Sequence, residues 1–179
     1  IDAIAAAAEC TPPSIYLHFA DKHALMLEVS RRNFRNLADR MAAAYDPDNP
    51  TRSLYAMGEA YVGFGLENPE AYRIMFMQPG RSGKVDGATV SKAFADVEQA
   101  VLAGLTAGTI AGEDERRVAL TLWAAVHGIT SLMIASPDFP WPDDMTRSVL
   151  RHVGSGVFRP PPADRPNDGH ADDGADDLR

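Results

Sequence analysis

Five histidines are the first place to look for chemistry, and their spacing excludes most of it. His18, His23, His127, His152 and His170 are scattered along the chain, and no pair stands at i, i+4 with a carboxylate as a helical zinc site requires. Gly-x-Ser-x-Gly and phosphate-cradling glycine loops are absent, and Gly154-Ser155-Gly156 reads as a helix-end fragment. We therefore expect no catalytic residues, no metal site, no cofactor and no enzyme. A different cluster stands out: Thr11, Ser14, Tyr16, His18 and Lys22 gather hydroxyl, imidazole and ammonium groups into twelve residues. Such groups recognise a partner by hydrogen bonds and charge without breaking covalent bonds.

The elements that must hold this cluster are short helices. Thr11 can cap the free N–H groups of a helix, and Pro12 fits its first position, where a missing N–H is no loss. Ile15 and Phe19 then share one face at i and i+4. A helix of about two turns is too short to be stable alone. Ile1 to Ala8 supplies a smooth, alanine-rich neighbour, and Glu9-Cys10-Thr11 is the sharp connection. With Asp21-Lys22 opening another helix, the pattern reads as the second half of a helix-turn-helix placed before a third helix, which makes DNA the first partner to consider. An ordinary helical hairpin has the same spacing.

Thr11-Pro-Pro-Ser-Ile-Tyr-Leu-His-Phe-Ala-Asp-Lys22 resembles the recognition helix and following helix start of the tetracycline-repressor (TetR/AcrR) family of transcription regulators. Further along, Leu122-Trp-Ala-Ala-Val-His-Gly-Ile129 resembles the Trp…His-Gly signature of the WHG-type ligand domain in that family, and Asn68 to Phe76 is similar to a short helix of the same subclass. The resemblance covers roughly residues 1 to 158. It implies that Thr11, Pro13, Ser14 and Tyr16 face a major groove while His18 and Lys22 meet phosphates. Pro13 has no N–H to donate, so contact with a thymine methyl is its plausible use. The resemblance also implies that the chain starts inside the second helix of the family's three-helix unit, lacking the first helix and the basic arm before it.

Composition sets the broader class: 179 residues, 45% hydrophobic and 23% charged, are ordinary for a soluble globular protein. No apolar run approaches the roughly 18 residues of a membrane span, no signal-peptide pattern is present, and no membrane partner is expected. Cys10 is the only cysteine, so no internal disulfide is possible and a reducing cytoplasm is the simplest home. We expect Cys10 to be a small buried apolar group. The net charge of −8 is unevenly distributed, with Asp164, Asp168, Asp172, Asp173, Asp176 and Asp177 all near the C-terminus. Lys22, Arg31, Arg32, Arg35 and Arg40 lie near the motif. Local field governs phosphate contact, but Asp2, Glu9, Asp21, Glu28 and Asp39 balance those cations.

Helix follows helix along the rest, and nothing alternates with period two, so the expected fold is all-α. Asp21 caps a helix to about Ala44 with Leu27, Phe34, Leu37, Met41 and Tyr45 on its buried side. Asp46 to Pro50 breaks it. Thr51 is expected to cap the next, to about Leu66, and Asn68-Pro69 starts a short one ending near Met77. Gln78 to Asp86 reads as a loop. Helices follow from about Ala88 to Gly108, from Glu113 to Ala135, and, after a proline-rich turn at Ser136 to Pro142, from Asp143 to about Val157. The domains are then 1–44, a partial helix-turn-helix with its connecting helix; 45–158, a larger helical ligand-binding and dimerisation domain; and 159–179, a disordered acidic, proline-rich tail.

Two features of the larger domain suggest function. Tyr61, Phe64, Tyr72, Phe76, Trp123 and His127, together with Tyr55, Met57, Met75, Met77 and Phe94, are aromatic or adaptable side chains suited to an apolar small-molecule site. Gly58, Gly63 and Gly65 interrupt a helix that carries several of them. Each would serve equally as core, and His127 as a satisfied core histidine. On the helix ending at Ala135, Val118, Leu122, Val126, Ile129 and Met133 form one apolar stripe, and Thr121, Ala124, Ala125, Gly128, Leu132 and Ala135 form a second. Two stripes exceed what one partner helix needs. Thr121, Ala125, Gly128 and Leu132 with Val149 and Val153 of the final helix suit a two-fold four-helix homodimer interface, with burial inside one chain as the other reading. The functional expectation is a ligand-responsive transcriptional regulator, a repressor released from a palindromic double-stranded DNA operator by a small apolar or aromatic effector. The alternative is a helical small-molecule-binding or interaction protein without a DNA function.

Overall fold

Capping residues and breakers along the chain divide it into eight α-helices and one π-helical turn in the computed structural model, which describes residues 1–77, 87–112 and 114–158. In order these are α1 (Asp2–Ala7), α2 (Pro12–Tyr16), α3 (Lys22–Ala43), α4 (Pro50–Glu67), α5 (Pro69–Tyr72) running into the π-helical turn Arg73–Met77, α6 (Gly87–Thr106), α7 (Glu115–Ala135) and α8 (Met145–Val157). Among the described residues no strand forms; Ile110 and Phe158 make one isolated bridge. The predicted loop over 78–86 and the predicted tail over 159–179 lie outside the described residues.

Most helix starts follow their capping chemistry. The Asp21 carboxylate accepts from Ala24 N at 2.7 Å, and the Asp114 carboxylate accepts from Arg117 N at 3.1 Å to open α7. At α4 the expected cap is displaced. Asn49 rather than Thr51 accepts, from Arg52 N at 3.0 Å, because Pro50 takes the first helical position and moves the start upstream. Thr11 occupies the N-cap position of α2, but its hydroxyl meets the Ser14 hydroxyl at 2.8 Å instead of a backbone N–H.

The turn between α1 and α2 is a Schellman closure, with Cys10 N donating to Ala5 O at 2.9 Å and Glu9 N to Ala6 O at 3.2 Å. It places Glu9 in the left-handed region at φ 52°. Cys10 follows that reversal and its side chain is exposed, correcting the expectation that it is buried. Ala5 and Ile15 are the buried side chains of this hairpin.

Helix α4 is central, touching α3, α5, α6, α7 and α8. Two of its glycines permit that closeness. A Cβ on Gly58 would press on the Leu150 side chain at 2.5 Å, and one on Gly65 would collide with Thr130 Cγ2 and the Tyr72 ring. The core runs from Phe34, Leu37 and Met41 of α3 through Met57, Tyr61 and Phe64 to Val126 and Ile129 of α7 and Leu150 of α8.

One expectation fails on α7. By length and composition it could cross a bilayer, with a mean hydropathy of 1.7 over its best 18 residues, yet only 28% of that window is buried. The apolar character is spread over two faces. One packs into the bundle through Ala119, Val126, Ile129, Thr130 and Ile134, and the other carries exposed Thr121, Ala124 and Leu132.

Candidate functional site

A cavity of about 210 Å³ opens between α3, α4, α6, α7 and α8. Each helix contributes because its apolar face points to the same interior: Phe34, Leu37 and Met41 from α3; Tyr55, Met57 and Tyr61 from α4; Phe94 and Val97 from α6; Leu122, Trp123 and Val126 from α7; Leu150 from α8. Phe76 enters from the π-helical turn, where one extra residue per turn re-aims the side chains. Among the described residues Glu98 and Arg116 are the charged groups in the wall, and they pair with each other at 3.0 Å.

Of the six side chains predicted to meet a ligand, Tyr61, Phe76 and Trp123 line this cavity. Tyr72 and His127 stand behind the wall and reach it through hydrogen bonds. Trp123 Nε1–H donates to the Tyr61 hydroxyl oxygen at 3.3 Å, and the Tyr61 hydroxyl lies 3.2 Å from that of Tyr72 and 2.9 Å from His127 Nδ1. The Tyr72 hydroxyl is 2.6 Å from His127 Nδ1. Both tyrosine hydroxyls therefore converge on one imidazole nitrogen, and the Tyr72 contact is the shorter. Phe64 is fully buried away from the cavity, with the Arg40 guanidinium carbon 5.7 Å from its ring centroid.

Burial sets the protonation of this network. It lowers the His127 pKa from the usual histidine value and raises those of Tyr61 and Tyr72, since desolvation penalises the charged form in each case. At neutral pH the group is an uncharged hydrogen-bond chain, suited to holding Trp123 and Tyr61 in place.

Sequence reasoning missed Leu54, Val97, Glu98, Arg116, Leu120, Leu150 and Phe158 in the wall. For Glu98 a signal existed. Phe94, Val97 and Val101 mark an apolar stripe on α6, and Glu98 occupies the i+4 slot of that stripe.

The second candidate surface is α2 and its flanks. Thr11, Pro13, Tyr16, His18 and Lys22 are exposed and Ser14 is half-buried. Leu17, not singled out from sequence, is 83% exposed, the largest value among the exposed large apolar side chains described. The third surface joins α7 and α8. Thr121 and Leu132 are exposed, while Ala125, Gly128, Val149 and Val153 are half-buried. A Cβ at Gly128 would meet nothing within 4 Å.

The family model for the tetracyclin repressor-like C-terminal domain matches residues 54–155, the segment that builds most of the cavity and the α7–α8 face. The chain belongs to the tetracycline-repressor family. YobS of Bacillus subtilis (strain 168), an uncharacterised HTH-type transcriptional regulator, is 30% identical over 67 residues. That match covers 37% of this chain and only about a third, 35%, of YobS. Among solved structures, a protein of unknown function from Rhodococcus sp. RHA1 superposes with a TM-score of 0.70 at 24% identity, covering 79% of this chain and 77% of that one. The TetR-family transcriptional regulator PfmR from Thermus thermophilus gives 0.70 at 19% identity, over 88% of each chain. These likenesses show the all-α fold of the family, whose members are regulators rather than enzymes.

Proposed function

We propose that this tetracycline-repressor family member is a ligand-responsive transcriptional regulator, a cytoplasmic homodimer released from a palindromic operator when a small apolar or aromatic effector fills the cavity. On this reading residues 1–44 meet DNA through Thr11, Pro13, Ser14, Tyr16, His18 and Lys22, and residues 45–158 hold the effector and the dimer contact. The single observation that carries it is the reach of α3: the helix that starts at Lys22, immediately after the α1–α2 hairpin, sends Phe34, Leu37 and Met41 into the cavity wall.

A ligand binding the DNA-competent and DNA-incompetent states equally shifts nothing, so differential affinity is required. Tilting α3 would supply it by changing the separation of the two α2 helices, which must match major grooves about 34 Å apart. The test is selection from random duplexes with the gene's complete product, followed by titration against salt. A near-palindromic consensus is expected, and Lys22→Ala should reduce the magnitude of the salt slope by about 0.9 for its lost phosphate contact. No selected motif, or binders that leave DNA affinity unchanged, would overturn the reading.

A further inference from the structure

The two charges among the described residues of the cavity wall are not equivalent, and their difference selects a ligand. The Glu98 side chain is 30% exposed, whereas its partner Arg116 is 71% exposed. An exposed arginine on a long stem leaves such a pair at little cost, because surface ion pairs contribute only about 0–1 kcal/mol. A cationic ligand would take the place of Arg116 and keep the more enclosed carboxylate paired. An anionic ligand would have to pair with Arg116 while leaving Glu98 without a partner and next to a like charge, which is the costlier arrangement.

The rest of the wall fits the same sign. Phe94 and Trp123, whose rings meet edge to face at 5.9 Å, stand with Tyr61 and Phe76 in a wall whose other described residues are mostly apolar. Aromatic faces attract an organic cation through their quadrupole. The net charge of −8 also concentrates cations near the protein. At about 210 Å³ the space is below the roughly 300–1,000 Å³ usual for drug-sized ligands, so the occupant is small, of the order of one ring with a short chain.

We propose that the effector is a small aromatic or aliphatic amine whose ammonium replaces Arg116 on Glu98 while its apolar body lies against Trp123 and Phe94. This rests on the effector-cavity reading above and adds the sign of the ligand.

Calorimetric titration of the full chain with three probes of matched size separates the two claims: 3-phenylpropylamine, 3-phenylpropan-1-ol and 3-phenylpropanoate. The amine should bind best and the carboxylate worst. Glu98→Gln should weaken the amine about tenfold or more and leave the alcohol unchanged. Arg116→Ala should bind the amine at least as tightly as the parent and serves as a second variant, with helicity checked by circular dichroism. Carboxylate binding tightest, equal binding of all three, or an amine preference that survives Glu98→Gln overturns the charge assignment while the cavity reading stands. No binding of any probe overturns both.

Discussion

His127 and the two tyrosines beside it have the sharpest residue-level consequences. Tyr72 is fully buried and its hydroxyl is hydrogen-bonded to His127 Nδ1 at 2.6 Å. Tyr72→Phe removes one of the two hydroxyls in reach of that nitrogen and leaves the Tyr61 hydroxyl at 2.9 Å. We expect a loss of about 0.5–1.5 kcal/mol, the worth of one hydrogen bond, read as a lower denaturant midpoint at unchanged slope. The pH dependence follows from the lowered pKa of His127. A histidine held neutral by burial contributes no penalty above its unfolded pKa of 6.5, and the folded state loses stability as pH falls below that value toward the folded pKa. Melting temperatures of the parent should fall between about pH 7.5 and 5.5, and the same interval should cost His127→Gln less. An equal decline in both proteins would assign the effect to other groups.

At the scale of elements, close approach to α4 is the determining contact. Gly65→Ala would drive a methyl into Thr130 and Tyr72, and overpacking of this kind costs about 1–3 kcal/mol. Gly63→Ala, whose Cβ has its nearest neighbour, Glu67 Oε1, at 3.9 Å, should instead stabilise the helix by up to about 1 kcal/mol. Thermal melts of the two variants should move in opposite directions, and movement in the same direction would mean that packing across α4–α7 is looser than described. At the α1–α2 turn, Glu9 sits at φ 52° in a position that usually takes glycine. Glu9→Gly should raise stability by about 1 kcal/mol, detected as slower amide exchange in α1 and α2.

At the scale of the whole molecule, the open face of α7 and α8 asks for a partner. Leu132 is 56% exposed on a helix that already buries another apolar face. On the homodimer reading, Leu132→Arg places a charge in an apolar contact, where desolvation without a partner costs several kcal/mol. Sedimentation should give dimers for the parent and monomers of unchanged helicity for the variant at micromolar concentration. A parent that is monomeric, or a variant that stays dimeric, would put the interface elsewhere.

The all-α architecture was legible in the sequence because caps, breakers and periodicity act locally. Asp21, Asn68-Pro69 and the proline-rich turn before α8 mark ends that need no distant partner, and the motif from Thr11 to Lys22 carries the family likeness in consecutive residues. On α7, periodicity found Val126 and Ile129 of the buried face but not Ala119, Thr130 and Ile134. It does not say which apolar face meets which, and that is where tertiary structure decided. Tyr61, Phe76 and Trp123 were assigned to the cavity wall, Tyr72 and His127 to the hydrogen-bonded layer behind it, and Phe64 to the core under Arg40, although all six share one aromatic or amphipathic character. The Glu98–Arg116 pair joins residues 18 positions apart on two helices, and the cavity wall runs from Phe34 to Phe158. Such groupings depend on helix packing across long sequence separations, which no local pattern encodes.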